Sequence, residues 1–266
     1  MSNGASIELG HVGISFGTAQ IVSNVNLDIK PGEFVCLLGP SGCGKSTLLN
    51  AIAGFLPVAG SISVGGDRVT KPGLDRGVVF QSAEVLFPWL TIRENVEYGL
   101  KIRGVAKAER AKKAEHFIGM VGLAHAADKF PKELSGGMRQ RAQIARVLIN
   151  EPSVVLMDEP FGALDAQTRE VLQEELDRLW RKTGCTIVFV THDIWEALLL
   201  ADRVVVMTAG PRAGIKTIQP IDLPHPRDAA SPECLELFRR LRDDIGEEVK
   251  RALEQQGLNR EEEPAT

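Results

Sequence analysis

The chain has little of what marks a secreted, membrane-spanning or nucleic-acid-coating protein. It holds only four cysteines in 266 residues, Cys36, Cys43, Cys185 and Cys234, dispersed and with no C-x-x-C pair. That spacing speaks against a disulfide framework or a zinc site and fits a reducing compartment. Basic residues do not prevail either: 31 face 35 acidic ones, and a net charge of −4 gives no support to a non-specific nucleic-acid binder. No apolar run is long enough to span a bilayer, so a membrane role would have to be borrowed from a partner. Met1 to Ser6 offers neither the basic start nor the apolar core of a signal peptide. Internal repeats and low-complexity blocks are missing as well. What remains is 44% apolar, an ordinary composition for one large domain or a domain with a subdomain.

Within it, Gly39-Pro40-Ser41-Gly42-Cys43-Gly44-Lys45-Ser46-Thr47 fits G-x-x-x-x-G-K-[S/T] in full. The apolar run Phe34 to Leu38 ahead of it reads as a strand buried on both faces, and Ser46 to Ile52 reads as a helix start. In that context the glycines let backbone N–H groups turn inward as an anion nest, backed by the positive end of the helix. Lys45 would reach the β- and γ-phosphates, and the Ser46 hydroxyl would ligate Mg²⁺.

Around this loop the chain reads as equipment for a phosphate-bearing ligand. Ile7 to Asn26 alternates like an antiparallel flap, whose Phe16 either fills a core or stacks on a base. Gly77 to Phe80 reads as a core strand that delivers Gln81 to the ligand edge of a sheet, within reach of a metal or an attacking water. Ser82 to about Gly104 reads as loop-like, with Phe87-Pro88-Trp89-Leu90 as an apolar group. Lys107 to Val121 then reads as an amphipathic helix, with Ala111, Ala114, Ile118 and Val121 on one face, and the middle region as an inserted helical subdomain. Leu134-Ser135-Gly136-Gly137-Met138 opens another helix. Ser135 is its N-cap, Gly136 and Gly137 bring the backbone close to whatever lies in front, and the helix start makes a second anion site. Two such sites for one nucleotide suggest that the second serves a nucleotide held by another copy of the chain.

Val154 to Met157 reads as a buried strand ending in Asp158 and Glu159. Asp158 there suits a Mg²⁺ shell, and Glu159 suits orienting or deprotonating a water. Asp165 reads as the N-cap of the helix carrying Leu172, Leu176 and Leu179, which by itself accounts for it. Thr186 to Val190 is a further core strand, delivering His192, whose imidazole would donate to a γ-phosphate or hold the water. Arg203 to Met207 reads as the last strand. An amphipathic helix starts at Ser231-Pro232 with Phe238, Leu241, Ile245 and Val249 as its stripe, and Glu261-Glu262-Glu263 reads as a disordered acidic tail.

Together these residues resemble the ATP-binding cassette (ABC) ATPases, over nearly the whole chain to about residue 225. The stretch Leu134 to Gln140 is the more diagnostic part, since many nucleotide-binding families share the phosphate loop. By resemblance, Phe16 takes the A-loop position, Gly39 to Thr47 the Walker A motif and Leu134 to Gln140 the signature, with Ser135 to Gly137 facing the other copy's nucleotide. Gln81 takes the Q-loop, with a place beside Ser46 and Asp158 in the metal shell. Asp158 and Glu159 form the Walker B pair, Asp165 lies in the D-loop and His192 is the switch. Gly162 stands where many members carry Ser, and Met138 where Gln is common; neither change touches a residue assigned chemistry.

The resemblance implies an α/β fold: a RecA-like P-loop NTPase core with an antiparallel β subdomain and a helical insert. The ATPase domain would span residues 5–228, with the insert at about 82–150, and a C-terminal helix and acidic tail would span 229–266. It also implies ATP and Mg²⁺, hydrolysis carried by Glu159, His192, Gln81 and Lys45, and a head-to-tail homodimer in which each signature closes on the other copy's nucleotide. Phe87 to Val96, Asn50 to Phe55 and Asp158 to Asp165 look like the subgroup that energises nitrate, sulfonate and taurine importers. That subgroup implies a permease docked at the Phe87–Trp89 region, a periplasmic binding protein acting indirectly and no nucleic-acid partner. Its place would be peripheral, on the cytoplasmic face of the inner membrane. A soluble ABC ATPase uncoupled from transport is the alternative, but the paired cassettes, coiled-coil insert or basic patch of such proteins are not visible.

Overall fold

Alternation of apolar residues sets Ile7, Leu9, Ile14, Val22, Val25, Leu27 and Ile29 on a buried face. They form a hairpin of β1 (Ile7–Phe16) and β2 (Ala19–Ile29) in this computed structural model, which describes residues 4–255. Next come β3 (Phe34–Leu38), α1 (Lys45–Ile52), β4 (Ala59–Val64), β5 (Asp67–Arg68) and β6 (Arg76–Val79). Three helices follow, α2 (Ile92–Ile102), α3 (Lys107–Met120) and α4 (Gly136–Leu148). The chain then runs β7 (Val154–Asp158), α5 (Ala166–Thr183), β8 (Thr186–Thr191), α6 (Ile194–Leu200), β9 (Arg203–Met207), β10 (Ile215–Pro220) and α7 (Pro232–Gln255).

Two sheets result. An antiparallel one has the order β2-β1-β4-β5, and a six-stranded one has the order β10-β9-β3-β8-β7-β6. In the larger sheet β9, β3, β8, β7 and β6 are parallel, and β10 closes one side antiparallel. The unbroken apolar runs of β3, β7 and β8 follow from burial on both faces. Alternate residues of these strands divide between two cores. Phe34, Cys36 and Leu38 pack with Met157, Phe189 and the helices α2 to α6, whereas Val35 and Leu37 pack with α1 and the antiparallel sheet. The sheet is therefore clamped in register, and its C-terminal strand ends are held where the loops diverge.

Several local expectations need correcting. β6 is an edge strand, paired with β7 alone among the described residues, and of the expected core strand Val79 is buried while Arg76 to Val78 are half-buried. Arg203–Met207 is not the last strand, because β10 pairs with it. The stretch from Ser82 to Gly104 is not mainly loop: it contains α2, started by a capping box in which Thr91 and Glu94 exchange hydrogen bonds. In α7 Val249 is exposed, and Glu248 is buried instead, accepting from the Ala209 N–H at 2.8 Å and from Arg251 at 2.7 Å. The stripe otherwise packs inward, with Leu241 in the core and Phe238 stacked on Trp195 at 4.4 Å. The proposed acidic tail, Glu261 to Glu263, lies outside the described residues.

Candidate functional site

Between Leu38 and Lys45 the chain turns from strand to helix through a loop that only glycine allows at two points. Gly42 and Gly44 hold φ of 79° and 92°, and a Cβ on Gly44 would come within 2.9 Å of Val22. The outer side of this loop forms one wall of a cleft of about 400 Å³, lined by Phe16, Ile21, Ser41, Gly42, Gly44, Lys45, Ser46, Thr47, Gln81 and Glu159. Phe16 is 53% exposed at its mouth, which removes the core reading. Gly39, Pro40 and Cys43 lie behind the cleft. Cys43 is buried, and burial pushes its thiol up.

Lys45 is itself buried, and its ammonium donates to the carbonyls of Gly39 (2.8 Å) and Pro40 (2.9 Å). It forms no direct ion pair among the described residues, although its charge reaches Asp158, so a positive charge held only by carbonyl groups stands at the wall of the cleft. Such a charge favours a phosphate on the other side. One helical residue further on, Ser46 Oγ donates to Asp158 Oδ1 at 2.8 Å. Burial holds the Asp158 carboxyl above its ordinary range, against the Ser46 hydrogen bond and with the Glu159 charge adding to the rise. Two hard oxygen donors with a disfavoured buried charge fit a divalent cation of the Mg²⁺ type.

Three strand ends converge next to this pair. Glu159 Oε2 accepts from Gln81 Nε2 at 3.2 Å, and His192 Nδ1 lies 3.4 Å from the same oxygen. The sheet order explains the meeting, since β6, β7 and β8 are neighbours and Gln81, Glu159 and His192 each follow one of them. Glu159 is fixed further by its own N–H, which donates to Val190 O at 3.0 Å.

Ser135, Gly136, Gly137 and Asp165 are not among the residues lining this cleft. Ser135 caps α4 by accepting from Met138 N at 3.3 Å, and Asp165 caps α5 by accepting from Thr168 N at 2.9 Å. That backbone hydrogen bond holds the Asp165 carboxyl below its ordinary range. The two turns touch each other: a Cβ on Gly137 would stand 3.1 Å from Leu164 and 3.3 Å from Ala163 O. A second cavity, about 570 Å³, lies between α3 and α5 at the opposite end of β7 and β8. Its lining mixes apolar residues (Phe117, Leu148, Pro152, Leu179) with charged ones of both signs, among them Lys112, Lys113 and Lys182 beside Glu109 and Glu151.

Some residues that shape the site escaped the sequence reading. Gln140 and Gln143, both buried in α4, bind the backbone of Phe80 just before Gln81: Gln143 Oε1 accepts from Phe80 N at 2.5 Å, and both amide nitrogens donate to Phe80 O at 3.1 Å. Asn95 is buried in α2; its Oδ1 accepts from Phe87 N at 2.8 Å, and its Nδ2 donates to the carbonyls of Phe87, Leu90 and Thr91. The available signal was a polar amide on the apolar side of a helix, which is costly unless it has a fixed partner.

Fold and cleft together define a P-loop nucleotide hydrolase with a RecA-like sheet, an antiparallel flap and a helical insert. The ABC transporter family model matches residues 22–162, and the chain belongs to that family as an ATP-hydrolysing cassette. It is 50% identical over 235 residues to an uncharacterized ABC transporter ATP-binding protein of Methanocaldococcus jannaschii, covering 88% of this chain and 87% of that one. It is 51% identical over 196 residues to the nitrate import ATP-binding protein NrtD of Synechocystis, covering 73% of each. Against the bicarbonate transport protein CmpD of the same organism identity is 51% over 215 residues, covering 80% of this chain and 76% of that one. Among solved structures, the ATP-binding cassette MJ0796 in a dimeric post-hydrolysis state bound to ADP and Pi is similar with a TM-score of 0.74 and 33% identity, covering 82% of this chain and all of that one.

Proposed function

We propose that the chain energises an importer of a small oxyanion-bearing solute, a class that holds nitrate, sulfonates and the sulfonate zwitterion taurine; the reading is supported by relatives named for nitrate import and bicarbonate transport. The observation that carries the hydrolytic half is the meeting of Gln81, Glu159 and His192 at one carboxylate oxygen beside the cradle. In this reading Phe16 stacks on the base, the loop N–H groups and Lys45 hold the phosphates, and Glu159 orients and deprotonates the attacking water. His192 and Gln81 fix that carboxylate and the water between them. Ser46, Asp158 and the Gln81 amide oxygen would hold Mg²⁺, which supplies charge neutralisation on the phosphate oxygens. Positioning and charge, not covalent chemistry, set the rate.

The transport half rests on Phe87 and Trp89. Trp89 is 70% exposed, and its ring lies 5.5 Å from that of Phe87, which is itself packed on Tyr98 (4.7 Å) and under the Arg146 guanidinium (4.7 Å). An exposed indole on a fixed aromatic base suits a cytoplasmic segment of a permease, close enough to Gln81 in sequence to feel its movement. Among the described residues no helix is long and apolar enough to cross a membrane, so docking of this kind would give the chain a peripheral place on the inner face. A periplasmic binding protein would act through the permease alone. Replacing Phe87 and Trp89 together by Ala should leave Mg-ATP binding by the purified subunit intact while permease co-purification and anion uptake are lost. An undiminished complex with full uptake would remove the coupling role.

A further inference from the structure

Outside the cleft, one buried acid and one arginine lie between two of its parts. Glu196, in the first turn of α6, is 5% exposed; its carboxylate accepts from Thr191 Oγ1 at 2.5 Å and from Gln173 Nε2 at 3.4 Å. Arg169, in the first turn of α5, supplies the compensating charge. Its Nε lies 3.8 Å from Glu196 Oε1, and its Nη1 lies 3.8 Å from Asp193 Oδ2. The remaining nitrogen, Nη2, donates to Leu164 O at 3.2 Å, in the turn that leads to Asp165. One planar guanidinium therefore hydrogen-bonds the 162–165 turn while lying at ion-pair distance from two carboxylates of the 191–196 segment, its Nε buried without a hydrogen bond, a spread of contacts that the single ammonium of lysine does not reproduce.

His192 stands in the middle of the segment so held. Asp193 N donates to Thr191 Oγ1 at 3.0 Å, and Asp193 Oδ1 accepts from Trp195 N at 2.8 Å, so the residues on both sides of the histidine are tied down. The imidazole side chain is 65% exposed, and its place beside Glu159 is set by those neighbours rather than by packing. On the other side, Gly137 at the start of α4 packs on Ala163 and Leu164, so a shift of that helix end is felt by the turn that Arg169 grips.

We propose that Arg169 is a positioning residue that sets His192 against Glu159 and passes movement of the Leu164–Asp165 turn to it. The proposal rests on reading Glu159 and His192 as the hydrolytic pair. Burial pushes the Glu196 carboxyl up, and Arg169 is among the groups opposing that rise, so removing the arginine also weakens the anchor of Thr191.

The test compares Arg169→Met, Arg169→Lys and Arg169→Met with Glu196→Gln in the full-length protein, with Glu159→Gln as reference. Arg169→Met should keep the Mg-ATP Kd within about twofold and the Tm near that of the parent, while kcat falls about tenfold or more. Arg169→Lys should recover only part of kcat, because it keeps the charge near Asp193 and Glu196 and loses the hydrogen bond to Leu164. Adding Glu196→Gln to Arg169→Met should recover no more than the lysine does, since the bond to Leu164 is still missing. Parental kcat in Arg169→Met overturns the proposal. So does a loss of kcat accompanied by equal losses in Kd and Tm, which marks a structural role only. If Glu159→Gln hydrolyses normally, the reading of the pair fails, whatever Arg169 does.

Discussion

Glu159 carries its carboxylate on a backbone few side chains choose, with φ at 44°, in the left-handed region. Strain of this kind costs about 1–3 kcal/mol and persists where the surroundings impose it. Here the bond from its N–H to Val190 does so. Next to it, Asp158 is held against its own ionisation. Because burial raises the folded-state value above the unfolded one, the stability this residue contributes is complete below the unfolded pKa, near about 4, and is lost as pH rises through the raised value. Asp158→Asn is therefore expected to raise the Tm of the nucleotide-free, metal-free protein at pH 7. The gain should vanish below about pH 4 in thermal scans across pH, and the Mg²⁺-dependent part of ATP affinity should be lost with it. A lower Tm at pH 7 would contradict the assigned direction.

Helices show most clearly where sequence stops being sufficient. The phosphate loop, the Ser135 cap and the Asp158-Glu159 strand end were legible because each is a contiguous pattern with a local physical cause. The shared task of Gln81, Glu159 and His192 was expected too, but their meeting at one carboxylate oxygen was not, since it depends on β6, β7 and β8 being neighbours, and strand order is a long-range property. Thr91-Ile92-Arg93-Glu94 was a readable helix start, hidden by the proline and apolar residues just before it. Phe16 could be placed only once the flap's bulged pairing was known. Asn95 belongs to the same scale, because it fastens the Phe87–Leu90 turn to α2. Asn95→Ala should cost about 2 kcal/mol, since it strands the Phe87 N–H and the carbonyl groups it served. The measured outcome should be a lower Tm and weaker permease co-purification with Mg-ATP affinity unchanged; full permease binding would separate the turn from docking.

For the whole molecule, the telling fact is that the cleft and the Ser135–Gly137 helix start occur in one chain without meeting. A second copy placed head to tail would supply each cleft with the other's helix start. Glu159→Gln should bind Mg-ATP, lose at least about a hundredfold in turnover and sediment as a dimer only with ATP. Normal turnover would remove Glu159 as the base, and a monomer at saturating Mg-ATP in the presence of permease would remove the shared site. The clip on Phe80 bears on a different hazard. Asp75 O accepts from Val154 of β7, so by alternation the backbone groups of Phe80, the residue after β6, turn away from β7 toward the unpaired side of the strand, where a foreign strand could add. Gln140 and Gln143 occupy those backbone groups with side-chain amides. The same two glutamines that seat α4 thus also close the first backbone donor and acceptor beyond the end of β6 to a foreign strand.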